Sequence, residues 1–280
     1  MSLDAQVARL VDIDPETGRS VDALLDRMDA DDRRAAGALQ RILIAELGAF
    51  SATAPQIPDC SPAAWVAAVL AAAPTVAGWM TDRGVPEPVI SQTLADVGRH
   101  LRLQQRNAGL VGFDAPIWMF AVLSGSLYQL GRLQFDLRPR RAGEVDLPAG
   151  LGEWLLDVHI PEAGPLIPAL VADSFDLAVP FFAAHFPDRP VPAAVCGSWL
   201  LDPYLAEHLS PSSNVVAFQR LFTPYGEPRD DQLDAVYFTF GQRSLQDLDR
   251  LPRASSLQRL VLDRLQGGRR WQVVHGYRVL

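Results

Sequence analysis

Apolar residues fall at helical spacing through the first half of the chain and mostly at strand spacing through the second. Pro15–Arg27 sets Val21, Leu24 and Leu25 on one side. Asp31–Phe50 sets Leu39, Ile42, Leu43 and Leu47 on one helical face. Ser61-Pro62 is a helix start signal: an N-cap hydroxyl, then a proline at a position that needs no N–H. Helix Ala63–Ala73 follows, and Pro74 is expected to interrupt it before Val76–Thr81. Pro86–Gln104 places Val89, Leu94, Val97 and Leu101 inward. Ala115–Leu127 is apolar almost all round, which predicts burial. The pattern gives a helical N-terminal domain over residues 1–112, either a cap or a wall of an acceptor cleft. Trp65, Trp79 and Trp118 do not choose between the two, since aromatics at helical spacing serve cores as readily as sites.

The strand pattern opens at Tyr128–Leu137. A polar loop, Pro139–Gly152, leads to a second strand, Glu153–Pro161, on which Leu155, Asp157 and His159 share one face. An antiparallel pair of these strands would gather Arg132, Gln134, Asp136, Asp157 and His159 on one side, as a solvated face or as a pocket floor. Asp157 and His159 lie ~7 Å apart by strand rise, too far for a direct bond without help from rotamers. After a Gly-Pro turn, helix Ile167–Phe186 carries Leu170, Phe175, Ala178, Phe181 and Phe182 inward, with Pro180 expected to kink or split it. Strand Val191–Gly197 is apolar on both faces, as a buried strand should be. Strand, helix, strand in that order implies a parallel pair with a right-handed crossover. Tyr204–Leu209 reads as a short helix, Asn214–Phe222 and Asp234–Phe240 as strands with an exposed loop at Thr223–Leu233, Ser255–Leu265 as a helix and Trp271–Val279 as the closing strand.

Composition narrows the chemistry. A formal net charge of −8 argues against nucleic acid as a partner. All 25 basic residues are Arg, which removes Walker-type phosphate loops, Schiff-base lysines and kinase-type strand lysines. Cys60 and Cys196 form neither a disulfide framework nor a zinc pattern, which fits a reducing cytoplasm. The acidic start of the chain lacks a signal-peptide pattern, and the most apolar runs, Ala63–Ala73 and Ile117–Leu127, fall short of the ~20 residues that span a bilayer. His100, His159, His185, His208 and His275 show no metal-ligand spacing, so no metal is expected. There is no GxSxG elbow, and Gly150-Leu151-Gly152 precedes a strand instead of a helix.

Several runs resemble a bacterial acyltransferase-domain family with a helical N-terminal domain and a GNAT-like C-terminal domain. They are Leu130–Phe135, Val158–Leu166, Ser198–Pro203, Ser213-Asn214 with Phe218–Arg220, and Ser256–Arg259. The resemblance implies an α+β or α/β fold, with a GNAT-like mixed sheet flanked by helices over residues 113–280. It also implies an acyl-CoA co-substrate (acetyl-CoA or a longer acyl chain) and an N- or O-linked acceptor. GNAT enzymes seat the pyrophosphate on backbone N–H groups of a [QR]xxGx[GA] loop after the central strand. Here that loop keeps Gly164, with Pro161 three before it and Leu166 two after it, and Pro165 has no N–H. The available donors would be Ala163, Gly164, Leu166 and Ile167. Cys196 and Ser198 would flank the pantetheine arm where the two central strands part.

The chemistry so implied is direct transfer: a base deprotonates the acceptor, a strand N–H holds the oxyanion and an acid protonates the thiolate. His159 and Glu162 are the candidate bases and Tyr204 the candidate acid. Each also has a structural reading: a strand-bonding His, a helix-start Glu, a packing Tyr. Arg132, Gln134, Asp157, Trp199 and Asp202 are the substrate-binding candidates. Against these stand an Arg132–Asp157 ion pair, a core Trp199 and an Asp202 that caps the next helix. As a nucleophile, Cys196 competes with a plainer role as a small buried hydrophobe. The expected partner is a small-molecule acceptor, with no nucleic acid and no membrane; a homodimer stays open. The rival is a GNAT-derived binding or regulatory module without turnover. The gap between the two central strands distinguishes them: an open splay with free loop N–H groups favours the enzyme.

Overall fold

The computed structural model describes residues 2–50, 55–144 and 146–280. Val145, inside the expected Pro139–Gly152 loop, lies outside the described residues. The chain divides into two compact units, Met1–Leu130 with Gln134–Pro139, and Gly131–Leu133 with Arg140–Leu280.

The first unit is built on helices α1 (Ala5–Leu10), α2 (Pro15–Asp26), α3 (Ala30–Ala45), α4 (Pro62–Asp82), α5 (Glu87–Ala108) and α6 (Trp118–Leu123), with strand β1 (Leu127–Leu130) and most of β2 (Leu133–Pro139). Asp4, Asp14 and Asp29 each take two backbone N–H groups at the start of α1, α2 and α3, satisfying donors the helices leave open. Ser61 caps α4 as its sequence predicts, accepting from the Ala64 N–H at 3.1 Å. Pro74, however, does not interrupt that helix. A proline in a helix interior costs ~3 kcal/mol, and α4 buries apolar side chains around most of its circumference, enough to offset that loss. Its unbroken length makes α4 long and apolar enough to cross a membrane, and 67% of its most apolar stretch is buried, as in a core helix. α6 is shorter than the apolar run Ala115–Leu127 suggests. It stops before Gly125, whose φ of +75° and contact with the Trp79 indole leave no room for a Cβ. Trp118 is anchored in this unit, its indole N–H donating to the buried Asp96 at 2.8 Å.

The second unit contains β3 (Trp154–His159), α7 (Pro168–His185), β4 (Ala193–Ser198), α8 (Pro203–His208), α9 (Asn214–Gln219), β5 (Thr223–Asp230), α10 (Gln232–Phe240), α11 (Ser256–Gln266) and β6 (Gln272–Val279). The chain as a whole is thus a helical N-terminal region followed by a mixed six-stranded sheet with flanking helices. β3 and β4 form the expected parallel pair around α7. β4 pairs antiparallel with β6 along its whole length, and β5 pairs antiparallel with β6 at the edge. Helix α7 passes through Pro180 unbroken, and its Leu170 is 46% exposed instead of inward.

Three stretches after β4 depart from their sequence reading. Asn214–Gln219 and Gln232–Phe240 are helices although their β-branched and aromatic residues favour strands. Caps decide both. Ser213 accepts from the Val216 N–H at 3.3 Å, Asp231 accepts from the Asp234 N–H at 3.2 Å, and Gly241 closes α10 at φ +76°. The expected loop at Thr223–Leu233 is mostly strand β5. Its prolines sit where an edge strand tolerates them, and its register slips between Tyr225 and Arg229.

Candidate active site

The parallel pair opens at its C-terminal end. Registered pairing covers Leu156 with Ala194 and Asp157 with Val195, and goes no further. Val158 and His159 on β3, and Cys196, Gly197 and Ser198 on β4, lie outside that ladder, while β4 keeps β6 as partner through Ser198. The two strands therefore splay where the chain enters the loop before α7, and Gly197 is solvent-exposed there.

Arg132 builds that loop. Its Nε donates to Pro165 O at 3.1 Å, one terminal nitrogen to Pro161 O at 3.1 Å and the other to Gly164 O at 2.6 Å. Its backbone N–H donates to Ser174 Oγ on α7 at 2.8 Å. A guanidinium carries five donors in a fixed planar fork, and here the fork spans three loop carbonyls. In a trans peptide the N–H points opposite the C=O. Carbonyls gathered on Arg132 thus turn the following N–H of Leu166 away from it. Gly164 holds φ +90°, a conformation that favours glycine, and a Cβ there would meet open space.

The loop leaves donors unused. Among the described residues, the N–H groups of Gly164, Leu166, Ile167, Ala169 and Leu170 have no hydrogen-bond acceptor. Helix α7 has no side-chain cap, whereas Asp231 and Ser255 cap α10 and α11. Residues 162–165 and 167–170 are all exposed. An uncapped N-terminus preceded by a glycine loop presents N–H groups and a positive dipole end to an anion. Ala169 and Leu170 were not legible as donors, because their role depends on where α7 starts. Ala163 is a correction: its N–H is spent on Pro161 O at 2.8 Å, closing the loop on itself.

The other sequence candidates separate. His159 is half-buried at the end of β3, on the splayed stretch, and Glu162 is exposed on the loop. Asp157 is buried and faces Arg141 at 3.6 Å. The Arg132 guanidinium donates to the loop carbonyls of Pro161, Gly164 and Pro165. Gln134 is buried in β2 within the first unit, its Nε2 without a protein partner. Ser198 is half-buried and accepts from the Leu200 N–H at 3.1 Å.

Asp202 is a structural hub instead of a ligand group. It is 1% exposed, caps α8 through Tyr204 N–H at 3.0 Å, and accepts from Arg264 at 2.9 Å and the Gln272 N–H at 3.0 Å. Trp199 is buried edge-on to Trp271. The Tyr204 ring stacks on His208 at 3.8 Å, lies edge-on to Trp271 and has the Arg264 guanidinium 4.2 Å from its centre. Trp199 belongs to the buried aromatic core, and the half-buried Tyr204 on α8 packs against it.

Cys196 is fully enclosed, and burial first, then the Asp157 charge, push its thiol far above the usual range. A thiolate there is strongly disfavoured, as for a small buried hydrophobe. Alkylation of the folded protein by iodoacetamide is expected to leave Cys196 unmodified, with mass spectrometry locating any label on Cys60; rapid labelling of Cys196 would contradict its enclosure.

Comparison with known proteins gives the class. Residues 1–125 match the N-acyltransferase N-terminal domain and residues 127–278 the GNAT-like C-terminal domain. No curated protein matches. Among solved structures, an acyltransferase in complex with decanoyl-CoA is similar at 29% identity and a TM-score of 0.86, covering 98% of this chain and 86% of that one. A mutant acyltransferase in complex with octanoyl-CoA is similar at 30% identity and a TM-score of 0.81, covering 98% and 87%. An acyltransferase in complex with decanoyl-CoA and teicoplanin is similar at 30% identity and a TM-score of 0.82, with the same coverage. Both domain matches agree, and the chain belongs to the family with an N-acyltransferase N-terminal domain and a GNAT-like C-terminal domain.

Proposed function

We propose that this protein transfers a medium-chain acyl group from acyl-CoA to an amine or hydroxyl of a small-molecule acceptor. The observation that carries this reading is the open β3–β4 splay beside a loop whose carbonyls are tied to Arg132 and whose N–H groups at Gly164, Leu166 and Ile167 have no acceptor. The pyrophosphate would sit on the N–H groups of Gly164, Leu166, Ile167, Ala169 and Leu170, and the pantetheine arm would enter the splay past Gly197 and Ser198, since the enclosed Cys196 is out of its reach. Pro165 supplies no donor, and the first turn of α7 makes up the shortfall. The solved relatives with decanoyl- and octanoyl-CoA support a medium-length chain, and the relative with teicoplanin makes a glycopeptide the first acceptor to test.

His159 is the base in this reading. It stands on the splayed end of β3, where an imidazole nitrogen could take the proton of an acceptor bound beside the thioester. Backbone N–H groups freed by the splay would hold the oxyanion. Both cysteines are free thiols, which supports a reducing cytoplasm as the working compartment.

The test is mass spectrometry of teicoplanin after incubation with decanoyl-CoA and the protein. A decanoyl adduct that His159→Ala reduces at least ~100-fold supports the reading, since removing a general base costs about that much. An adduct unaffected by His159→Ala would remove the base from the account. Gly164→Trp is expected to weaken decanoyl-CoA binding more than ~10-fold by calorimetry. The indole would project into the open space over the loop, and the strained φ should cost only about 1 kcal/mol of stability. Unchanged binding in this variant would place the pyrophosphate elsewhere.

A further inference from the structure

The acyl-CoA reading leaves one role unfilled. Direct transfer needs a proton for the departing thiolate, and the half-buried Tyr204 ring on α8 is packed between His208, Trp271 and the Arg264 guanidinium. A second histidine lies across β4 from the splay, on β6. On β6, His275 is registered opposite Gly197 of β4. Its ring lies across that glycine: a Cβ at Gly197 would stand 2.8 Å from both Cε1 and Nδ1 of His275. Only a residue without a side chain lets the imidazole lie over β4 at this point. The ring of Tyr225 on β5 backs it from the far side, 5.8 Å between centres.

The same register brings His159 to the opposite flank. Asp157 pairs with Val195, so two residues on, where the ladder has opened, His159 faces the position of Gly197. Alternation along each strand puts Asp157, His159, Gly197 and His275 on one face. The register thus sets one histidine on the strand to either side of Gly197, with the His275 ring lying over it. Among the described residues, the titratable groups around His275 on this face include Tyr225 on β5, whose hydroxyl donates to Glu144 at 3.4 Å, Tyr277 along β6, and Asp157 and His159 on β3. Arg141 sits beside Asp157.

The geometry points to His275 as the acid that protonates the sulfur of CoA as it leaves, an inference that rests on the acyl-CoA reading above. The acceptor nitrogen forms a bond to the thioester carbonyl carbon and passes its proton to His159. The tetrahedral intermediate collapses, the C–S bond breaks and its electron pair goes to sulfur. Imidazolium His275 gives its proton to that sulfur, leaving neutral imidazole and free CoA. His159 releases one proton to solvent and His275 takes one back, so the cycle closes with no other reactant.

The assignment is tested without an acceptor. Free CoA is bound to the protein and its thiol is titrated by the ultraviolet thiolate band, with the unliganded protein subtracted. A donor poised at sulfur stabilises thiolate, so bound CoA should titrate at least ~1 unit below the ordinary thiol value of about 8.5, a tenfold gain in acidity. His275→Gln should return it to the free value, and His159→Gln should leave it depressed. Gly197→Ala, whose methyl displaces the ring, should act like His275→Gln and serves if that variant fails to fold. Bound CoA whose thiol titrates alike in wild type and His275→Gln overturns the role of His275 alone. Failure of wild type to bind CoA overturns the acyl-CoA reading and this inference with it.

Discussion

Arg132→Met is expected to weaken acyl-CoA binding at least ~100-fold, about 2.7 kcal/mol, while the protein stays folded. The side chain makes three bonds to the carbonyls of Pro161, Gly164 and Pro165, and all three orient one loop. Bonds from a charged donor contribute roughly 1.5–3 kcal/mol each, and they are not additive where they act on one segment. Methionine fills much of the volume but releases the loop, so its N–H groups no longer converge before binding and the ligand must order them. The bond from Arg132 N–H to Ser174 Oγ is a backbone contact and survives the substitution. Arg132→Lys is expected to rescue little, because one ammonium cannot reach three carbonyls spread along a guanidinium plane. Calorimetry with decanoyl-CoA checks this, alongside circular dichroism. Binding within threefold of wild type would mean that the loop is rigid without its arginine.

Asp202→Ala is expected to cost about 3–5 kcal/mol of stability, a large fraction of the roughly 5–15 kcal/mol available to a domain. One Asp202 oxygen caps α8, and the other accepts from both Arg264 and the Gln272 N–H that starts β6. Arg264 is itself enclosed, its guanidinium 4.2 Å from the Tyr204 ring centre and 4.5 Å from that of Trp271. Alanine would leave this cation buried without its counter-charge and uncap a helix at the same time. Asp202→Asn keeps the capping oxygen and should cost less than alanine. Chemical denaturation measures both; a loss below ~1 kcal/mol for alanine would show that Arg264 finds water instead. Either way the change acts through folding, since Asp202 lies in the core.

These two residues mark where sequence reading succeeds and where it stops. The strand–turn–helix unit from β3 to β4, the short helix α8, helix α11 and the closing strand were legible, because continuous apolar runs, a Gly-Pro turn and strong caps agree on each. α9 and α10 were not: their β-branched and aromatic content points to strands, and capping residues just outside the segment override it. β5 was hidden by its own prolines and glycine, which an edge strand accepts. His159 and Gly164 could be placed on the strand end and its loop from sequence. The function of Arg132 could not, because its partners lie about 30 residues away and the carbonyls it binds carry no sequence signal. Asp202 shows the reverse error. Its place at the end of β4 suggests a ligand, yet the cap at Pro203 was the better clue, and only tertiary packing reveals Arg264 beside it. His275 faces Gly197 by a register that no pattern within either strand fixes.

Hydrogen–deuterium exchange with and without decanoyl-CoA tests the central claim most directly. The N–H groups of Gly164, Leu166, Ile167, Ala169 and Leu170 have no acceptor in the unliganded protein and should exchange fast. If the pyrophosphate sits on them and the arm enters the splay, decanoyl-CoA should slow exchange in residues 162–170 and in the strand ends at 158–159 and 196–198. Gly164→Trp should remove that protection. Saturable decanoyl-CoA binding that protects other segments and leaves 162–170 exchanging freely would contradict the account.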